Sequence, residues 1–233
     1  KLPPAYFLQI DTNTKSSTIK KYWFLTFNCL CRNKQEAIDS TDYELRRAIT
    51  YQMISDVPLG TYLSGGIDSS LLTAIMSKVS DRPIETFSII WDSDSKAFDE
   101  RSYARFVANK YHTNHHEFLV KPNIEEVIDK IIGSFDEPFA DDSAIPNYYI
   151  AKETKKFVTV ALSGLGGDEM SAGYERYLGL KLFHYYRLLP SKLRNGIISK
   201  ILYHLPDSHA GNPWVERIKR FVRISDQSFE DSY

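Results

Sequence analysis

Apolar and polar positions along the chain follow two periods, and the change from one to the other marks the elements. "PPAYFLQID" and "TIKKYWFLTFN" are β-like runs separated by the turn-rich "TNTKSS", which predicts a hairpin and then a linker. From Gln35 the spacing turns helical: "QEAIDSTDYELRRAITYQMIS" places Ile38, Leu45, Ala48, Ile49 and Met53 on one face. Strands and helices then alternate. A short strand over 60–63 leads into a helix over 68–80, and "IETFSIIW" predicts a strong strand. "DERSYARFVANKYH" follows as a helix with Tyr103, Phe106, Val107 and Lys110 at helical spacing, then "HHEFLV" as a third strand. "NIEEVIDKIIGSF" and "AIPNYYIAKETKK" read as helices, and "FVTVAL" as a buried strand of β-branched residues. Beyond Gly173 the pattern is helical throughout. Such alternation implies an α/β fold with a parallel sheet flanked by helices on both faces.

In such a sheet, ligands bind at the carboxyl ends of strands, where loops lead into helix N-termini. "SGGIDSS" (64–70) falls at one such place. Gly65 and Gly66 allow a tight turn, the following helix directs free N–H groups at the loop, and Ser64, Ser69 and Ser70 add hydroxyls. That chemistry suits phosphate. The lysine of the common phosphate loop is missing, because no Gly-Lys dipeptide occurs in the chain. Asp68 would repel phosphate oxygens unless a divalent cation lay between them, and magnesium accompanying ATP is the usual one. The pattern is similar to the pyrophosphate loop of enzymes that cut ATP to AMP and pyrophosphate. "VTVALSGLGGDEMSAGYERY" repeats the logic with a strand, a glycine loop and the adjacent acids Asp168 and Glu169. Two such loops can face each other across one crevice, with Asp168 completing the magnesium site of Asp68.

Composition narrows the reading. A formal net charge of −1 argues against a binder of nucleic acid by bulk basicity. No apolar run has the length of a membrane span and no signal peptide opens the chain, so a cytoplasmic location is the expectation. The two cysteines, Cys29 and Cys31, are too close for an ordinary disulfide and read as reduced thiols. His112, His115 and His116 read as part of a helix-to-strand turn in preference to a metal site. "DEPFADD" concentrates four carboxylates, equally readable as a substrate-amine contact and as a solvated loop. The aromatic and basic residues of 176–205 have helical spacing and read as packing, with a solvated basic face.

Four ordered segments, "SDVPLGTYLSGGIDSS", "AFDERSYARFVA", "SFDEPFADDSAIPNYYIAK" and "LSGLGGDEMSAGYERY", resemble the synthetase domain of glutamine-dependent asparagine synthetases. The opening "LPPAYFLQID" resembles the last strands of that family's glutaminase domain. The resemblance implies residues 1–33 as the tail of a glutaminase domain and linker, and 34–233 as an ATP-dependent synthetase domain. It also implies a fragment cut at both ends and an adenine nucleotide alpha hydrolase-like fold. It implies ATP and Mg2+, with aspartate and ammonia (from glutamine in the full protein) as small-molecule substrates. A glutaminase domain in the same polypeptide is the implied partner, and a homodimer is compatible with it. Ser64, Gly65, Gly66, Asp68, Ser69 and Ser70 would hold pyrophosphate and magnesium. Tyr62, Leu63 and Ile89 would line the adenosine pocket, Ser163 and Gly164 would touch AMP, and Asp68 with Asp168 would bind the metal.

Three departures from that family stand out. The residue between the glycines of the second loop is usually acidic there and is Leu165 here, which can neither accept a proton nor stabilise a positive nitrogen. The N-terminal catalytic cysteine of the glutaminase is missing, and so is the later segment that supplies an active-site lysine. Two alternatives therefore stay open. One is a related amidotransferase acting on another carboxylate or amine. The other is a nucleotide-binding domain without catalysis.

Overall fold

The structure, a computed structural model, describes residues 1–27, 31–91, 100–135, 139–141, 143–205 and 213–225. The chain divides into two compact units, Lys1–Ile54 and Ser55–Tyr233.

In the first unit, β1 (Tyr6–Ile10) and β2 (Ser17–Lys21) form the expected antiparallel hairpin, in register from Tyr6↔Lys21 to Ile10↔Ser17. The Asp11 carboxylate closes its turn by accepting from the N–H groups of Asn13 (2.8 Å) and Thr14 (3.1 Å). Those backbone bonds, Thr14's foremost, hold its pKa below the ordinary carboxylate value. The second apolar run stops being strand at Lys21: Tyr22 N–H still donates to the Ala5 carbonyl at 2.9 Å, but Ala5 turns to φ +64° and the ladder ends there. Helix α1 (Lys34–Gln52) starts where Asn33 accepts from Glu36 N–H (2.9 Å) and Glu36 accepts from Arg32 N–H (2.7 Å). Its expected apolar face is only partly realised. Ile49 is buried, whereas Ile38 remains 49% exposed.

The second unit carries the sheet. Its elements are β3 (Leu59–Tyr62), α2 (Ile67–Val79), β4 (Glu85–Trp91), α3 (Arg101–Lys110), β5 (Asn114–Val120), α4 (Ile124–Ile132), α5 (Ala144–Thr154) and β6 (Val160–Leu162). After these come α6 (Gly167–Ser171), α7 (Glu175–Arg187), α8 (Ser191–Leu193), α9 (Ser199–His204) and α10 (Pro213–Ser225), with a π-helical stretch at Arg194–Ile198. The four strands run parallel in the order β5-β4-β3-β6. The chain therefore builds outward from β3 through β4 to β5, then returns to the far side of β3. Right-handed crossovers in opposite directions put helices on opposite faces. Accordingly α2 and α3 pack together on β3, β4 and β5, while α5 packs with α4 and on β4 and β5.

Alternation along β4 feeds both layers. Phe87, fully buried, meets Phe118 (6.1 Å between centroids), Phe157 (5.9 Å) and the His116 ring (5.3 Å). Burying such a ring contributes about 1.5–3 kcal/mol. In the other layer Leu63 packs with Ala104, Val107 and Ala108, with Tyr111 at the edge.

The helix expected from "DERSYARFVANKYH" forms as α3, and one expectation, the buried strand, needs correction. Helix α3 turns Ala104, Val107 and Ala108 inward, while Tyr103 and Phe106 stand 65% and 66% exposed. The inward residues pack on Leu63, and at the start of the helix Gly65 comes against Tyr103 and Ala104 N. β6 is three residues long and sits at the sheet edge, with Val160 38% exposed, so it is not a buried strand. The aromatic and basic residues after Gly173 stack on one another, Arg187 over Phe183 at 5.0 Å and Arg194 over Tyr186 at 5.7 Å. Among the described residues no helix is long and apolar enough to cross a membrane.

Candidate active site

The strand order reverses between β3 and β6, so the loops leaving their carboxyl ends lie side by side. Thr61 Oγ1 ties the strands by donating to the Leu162 carbonyl at 3.1 Å.

The first loop is built on hydroxyls. Gly66 caps α2 without any side-chain hydrogen bond to the helix. Ser64 and Ser69 share a hydrogen bond at 3.0 Å between their hydroxyls. Gly66 N–H donates to Ser64 Oγ (3.2 Å), Ser64 N–H donates to Ser69 Oγ (3.3 Å), and Ser69 Oγ donates to the Gly66 carbonyl (3.2 Å). Gly65 has φ +89°, and a Cβ there would lie 2.7 Å from Ala104 N. Glycine is thus required by both backbone conformation and close approach to α3. The first-turn N–H groups of α2 (Ile67, Asp68, Ser69) have no acceptor within the helix. Among the described residues Ser70 Oγ is buried and makes no hydrogen bond. Leaving such a hydroxyl unmet costs about 1–3 kcal/mol; Ser77 and Thr154 carry the same cost elsewhere, so it is the place of Ser70 near the start of α2 that makes it a candidate donor to a ligand.

The second loop is built on glycines. Ser163 Oγ accepts from Leu165 N–H at 3.2 Å, Gly166 takes φ +94°, and Gly167 opens α6 with Asp168 and Glu169 in its first turn. Ala172, at φ +55°, closes α6, and Gly173 N–H returns to the Asp168 carbonyl at 2.9 Å. Tyr174 donates its hydroxyl proton to Glu169 Oε1 at 2.8 Å. Leu165 is 94% exposed.

The two loops touch through these glycines. A Cβ on Gly164 would lie 2.9 Å from Ser69 N and 3.0 Å from Asp68 Cβ, and one on Gly167 would overlap the Asp68 carboxylate. Spacing along the chain could not reveal that contact, since it spans about a hundred residues.

Tyr62, Leu63 and Ile89 sit at or near the carboxyl ends of β3 and β4. Tyr62 ends β3, half-buried; burial raises its hydroxyl pKa, and the nearby Thr154 hydroxyl only partly offsets that. Ile89 is half-buried on β4. Leu63 is 1% exposed in the α3 cluster; its N–H donates to Phe87 O at 2.9 Å, and its carbonyl accepts from the Ser88 hydroxyl. It therefore fixes the strand end, and a nucleotide could meet only its main chain. Of the acidic stretch 136–142, Asp136, Glu137 and Asp142 lie outside the described residues, as does Cys29. Asp141 accepts from Ser143 N–H at 2.9 Å before α5, which lowers its pKa.

The three histidines go to structural places. His112 takes the turn at φ +52°, His115 Nδ1 pairs with Thr86 Oγ1 at 2.9 Å, and His116 Nε2 with Glu85 at 2.6 Å. Among the described residues no three His, Cys, Asp or Glu side chains converge on a metal position. Asp68, Asp168 and Glu169 are the acids in the first turns that follow the two loops. Asp68, beside the unspent N–H and hydroxyl donors of α2, is a hard oxygen donor of the kind that suits magnesium shared with a polyphosphate better than a metal caged by protein alone.

The asparagine synthase family model matches residues 40–229. A putative asparagine synthetase (glutamine-hydrolyzing) 2 of Methanocaldococcus jannaschii is 38% identical over 196 residues, 83% of this chain and 38% of that protein. Asparagine synthetase (glutamine-hydrolyzing) 1 of Bacillus subtilis is 34% identical over 210 residues, 86% of this chain and 31% of that protein. The chain thus spans about a third of the length of the curated relatives it matches. Among solved structures, an NH3-dependent NAD synthetase from Campylobacter jejuni superposes over 82% of this chain and 96% of its own. Its TM-score is 0.36 at 11% identity, too loose a likeness to carry an argument. The match over most of the second unit, and the curated relatives beside it, place this chain in the asparagine synthase family.

Proposed function

We propose that this chain is the ATP-using part of an amide-forming ligase, which activates the side-chain carboxylate of aspartate and delivers ammonia to it. The observation that carries the reading is the meeting of the two loops at the switch point, with Gly164 and Gly167 set against Asp68. A polyphosphate laid along the first loop finds the N–H groups of α2 and the hydroxyls of Ser64, Ser69 and Ser70. Gripping the β- and γ-phosphates leaves the α-phosphorus open to the attacking carboxylate. The carboxylate oxygen forms a bond to that phosphorus as the bond to the bridging oxygen breaks. Pyrophosphate leaves and an acyl-adenylate remains. Ammonia then adds to the acyl carbon and AMP departs, giving the amide and releasing a proton.

Asp68 and Asp168 would hold magnesium, which neutralises phosphate charge when bound. Tyr62 and Ile89 line the adenosine side and the main chain of Leu63 borders it, while Ser163 and Gly164 lie toward AMP. Residues 34–233 act as the synthetase domain, and residues 1–33 as the tail of a glutaminase domain that supplies ammonia within a longer polypeptide. The naming of the relatives as glutamine-hydrolyzing, and the third of their length this chain spans, support that arrangement.

The test is pyrophosphate release from Mg·ATP with L-aspartate and ammonia, with asparagine identified as product. Release that needs aspartate supports the reading. ATP bound without release overturns the aspartate assignment.

Leu165 supports a second reading, in which the acceptor or the amine differs. Its side chain is 94% exposed on the second loop, so packing does not account for it. Leu165→Glu discriminates. If only that variant releases pyrophosphate with aspartate and ammonia, the chain as it stands serves another substrate.

A further inference from the structure

Gly65 and Gly166 occupy the left-handed region, where the backbone itself favours glycine. Gly167 and Gly173 do not, so other residues could adopt their backbone. A carboxylate is what excludes a side chain from each. A Cβ on Gly167 would overlap Cγ and Oδ2 of Asp68 and lie 2.8 Å from Oδ1. A Cβ on Gly173 would overlap Asp168 Oδ1 and lie 3.1 Å from its Cγ. Elsewhere the same replacement is harmless: at Gly179 and Gly196 an added Cβ meets nothing within 4 Å. The fold also works to produce the second of these contacts. Ala172 turns the chain back at φ +55°, and the Gly173 N–H then bonds the Asp168 carbonyl.

Resting on the nucleotide reading above, we propose that Gly167 and Gly173 are positioning residues, each a bare α-carbon that seats one of the two acids, Asp68 and Asp168 respectively. Among the described residues neither acid takes part in an ion pair that would fix its rotamer. Contact with glycine is what leaves each carboxylate its place. A methyl group at either position turns the carboxylate into another rotamer or lifts the loop, and in both cases the cation loses a ligand placed for it.

The direct readout is Mn2+ binding, measured by electron paramagnetic resonance with α,β-methylene ATP present. Gly167→Ala and Gly173→Ala should weaken Mn2+ about 10–100-fold, as removal of ligand support typically does, with Gly179→Ala unchanged. Thermal unfolding supplies a test independent of ligand. Gly173→Ala should lower Tm by about 5 °C, and Asp168→Ala in the same chain should restore most of that loss. Asp68→Ala should do the same for Gly167→Ala. If a glycine variant does not fold, recovery of a cooperative transition in the paired variant supports the seat, and continued failure overturns it. Wild-type Mn2+ affinity in folded Gly167→Ala and Gly173→Ala, or strictly additive Tm losses, also overturns it. If the wild-type protein binds no Mn2+ with nucleotide, the nucleotide reading falls, while the unfolding cycles still decide the seats.

Discussion

The two ends of the parallel sheet treat their carboxylates in opposite ways. Toward the amino end these are spent on partners, although Nε2 of His115 is buried there without a hydrogen bond among the described residues. Glu85 accepts from Asn114 (2.7 Å) and pairs with His116 (2.6 Å), Arg105 holds Glu117 through two bonds (2.7 and 2.6 Å), and Thr86 meets both Thr113 and His115 at 2.9 Å. At the carboxyl end, among the described residues, Ser70 Oγ makes no hydrogen bond, the first turn of α2 has N–H groups to give, and Asp68 and Asp168 take part in no ion pair. The same residue types do structural work at one end and are held in reserve at the other. Proximity of charged residues is therefore a poor guide to a site in this fold. An acid set against a glycine loop at a helix N-terminus is the better one.

The largest expected effect comes from removing an acid at the unspent end. Asp68→Asn should lower pyrophosphate release by roughly 10²–10³-fold while leaving the Tm within a few degrees. An equal loss of activity from Glu85→Gln, at the paired end, would break the comparison.

Next are the glycines of the two loops. Gly65→Ala combines a left-handed backbone with a clash against α3, about 1–2 kcal/mol for the first and 1–3 for the second. Gly166→Ala meets open space and carries only the backbone cost, about 1–2 kcal/mol. Thermal unfolding should rank them in that order, with Gly65→Ala lower by several degrees.

Ser70→Ala sharpens the contrast further. It removes a buried hydroxyl that has no partner, so stability should hold or rise by up to about 1 kcal/mol. Affinity for Mg·ATP, read by calorimetry, should fall about 5–10-fold, the value of one lost hydrogen bond. A drop in stability with unchanged affinity would assign this serine to the structural class.

The smallest effect belongs to the paired end. Burial is the main cause that holds the His115 pKa below its ordinary value of 6.5, with Glu117 opposing it. The folded state thus refuses a proton that the unfolded chain accepts below about pH 6.5, so stability falls as pH drops from 7 toward 5. Glu117 adds to this at lower pH. Its carboxyl, depressed chiefly by the Arg105 hydrogen bonds, contributes stability that is lost as pH falls below the ordinary glutamate range. Urea unfolding at pH 7 and pH 5 should show a steeper loss for the wild type than for His115→Gln.

Much of this was legible beforehand. Both glycine loops, their acids and the alternation of strands and helices lie in local spacing, and local spacing is read directly by backbone hydrogen bonding. The helix of residues 101–110 was legible as an element, but its inward face was not. Tyr103 and Phe106 have the greater hydrophobic weight, yet it is Ala104, Val107 and Ala108 that pack on Leu63. The buried character expected of β6 failed for a similar reason, since burial depends on a strand's place in the sheet.

What the amino-acid sequence determined alone, then, is the set of parts: a phosphate-suited loop with an aspartate where lysine is usual, and a second glycine-rich loop bearing Asp168 and Leu165. Tertiary structure alone decided that the parts meet. Returning the chain to the far side of β3 puts β6 beside it and brings Gly164 and Gly167 onto Asp68 across a hundred residues. Side-chain periodicity is a property of one backbone segment, whereas adjacency is set by crossover direction and sheet order, which only the packed layers fix.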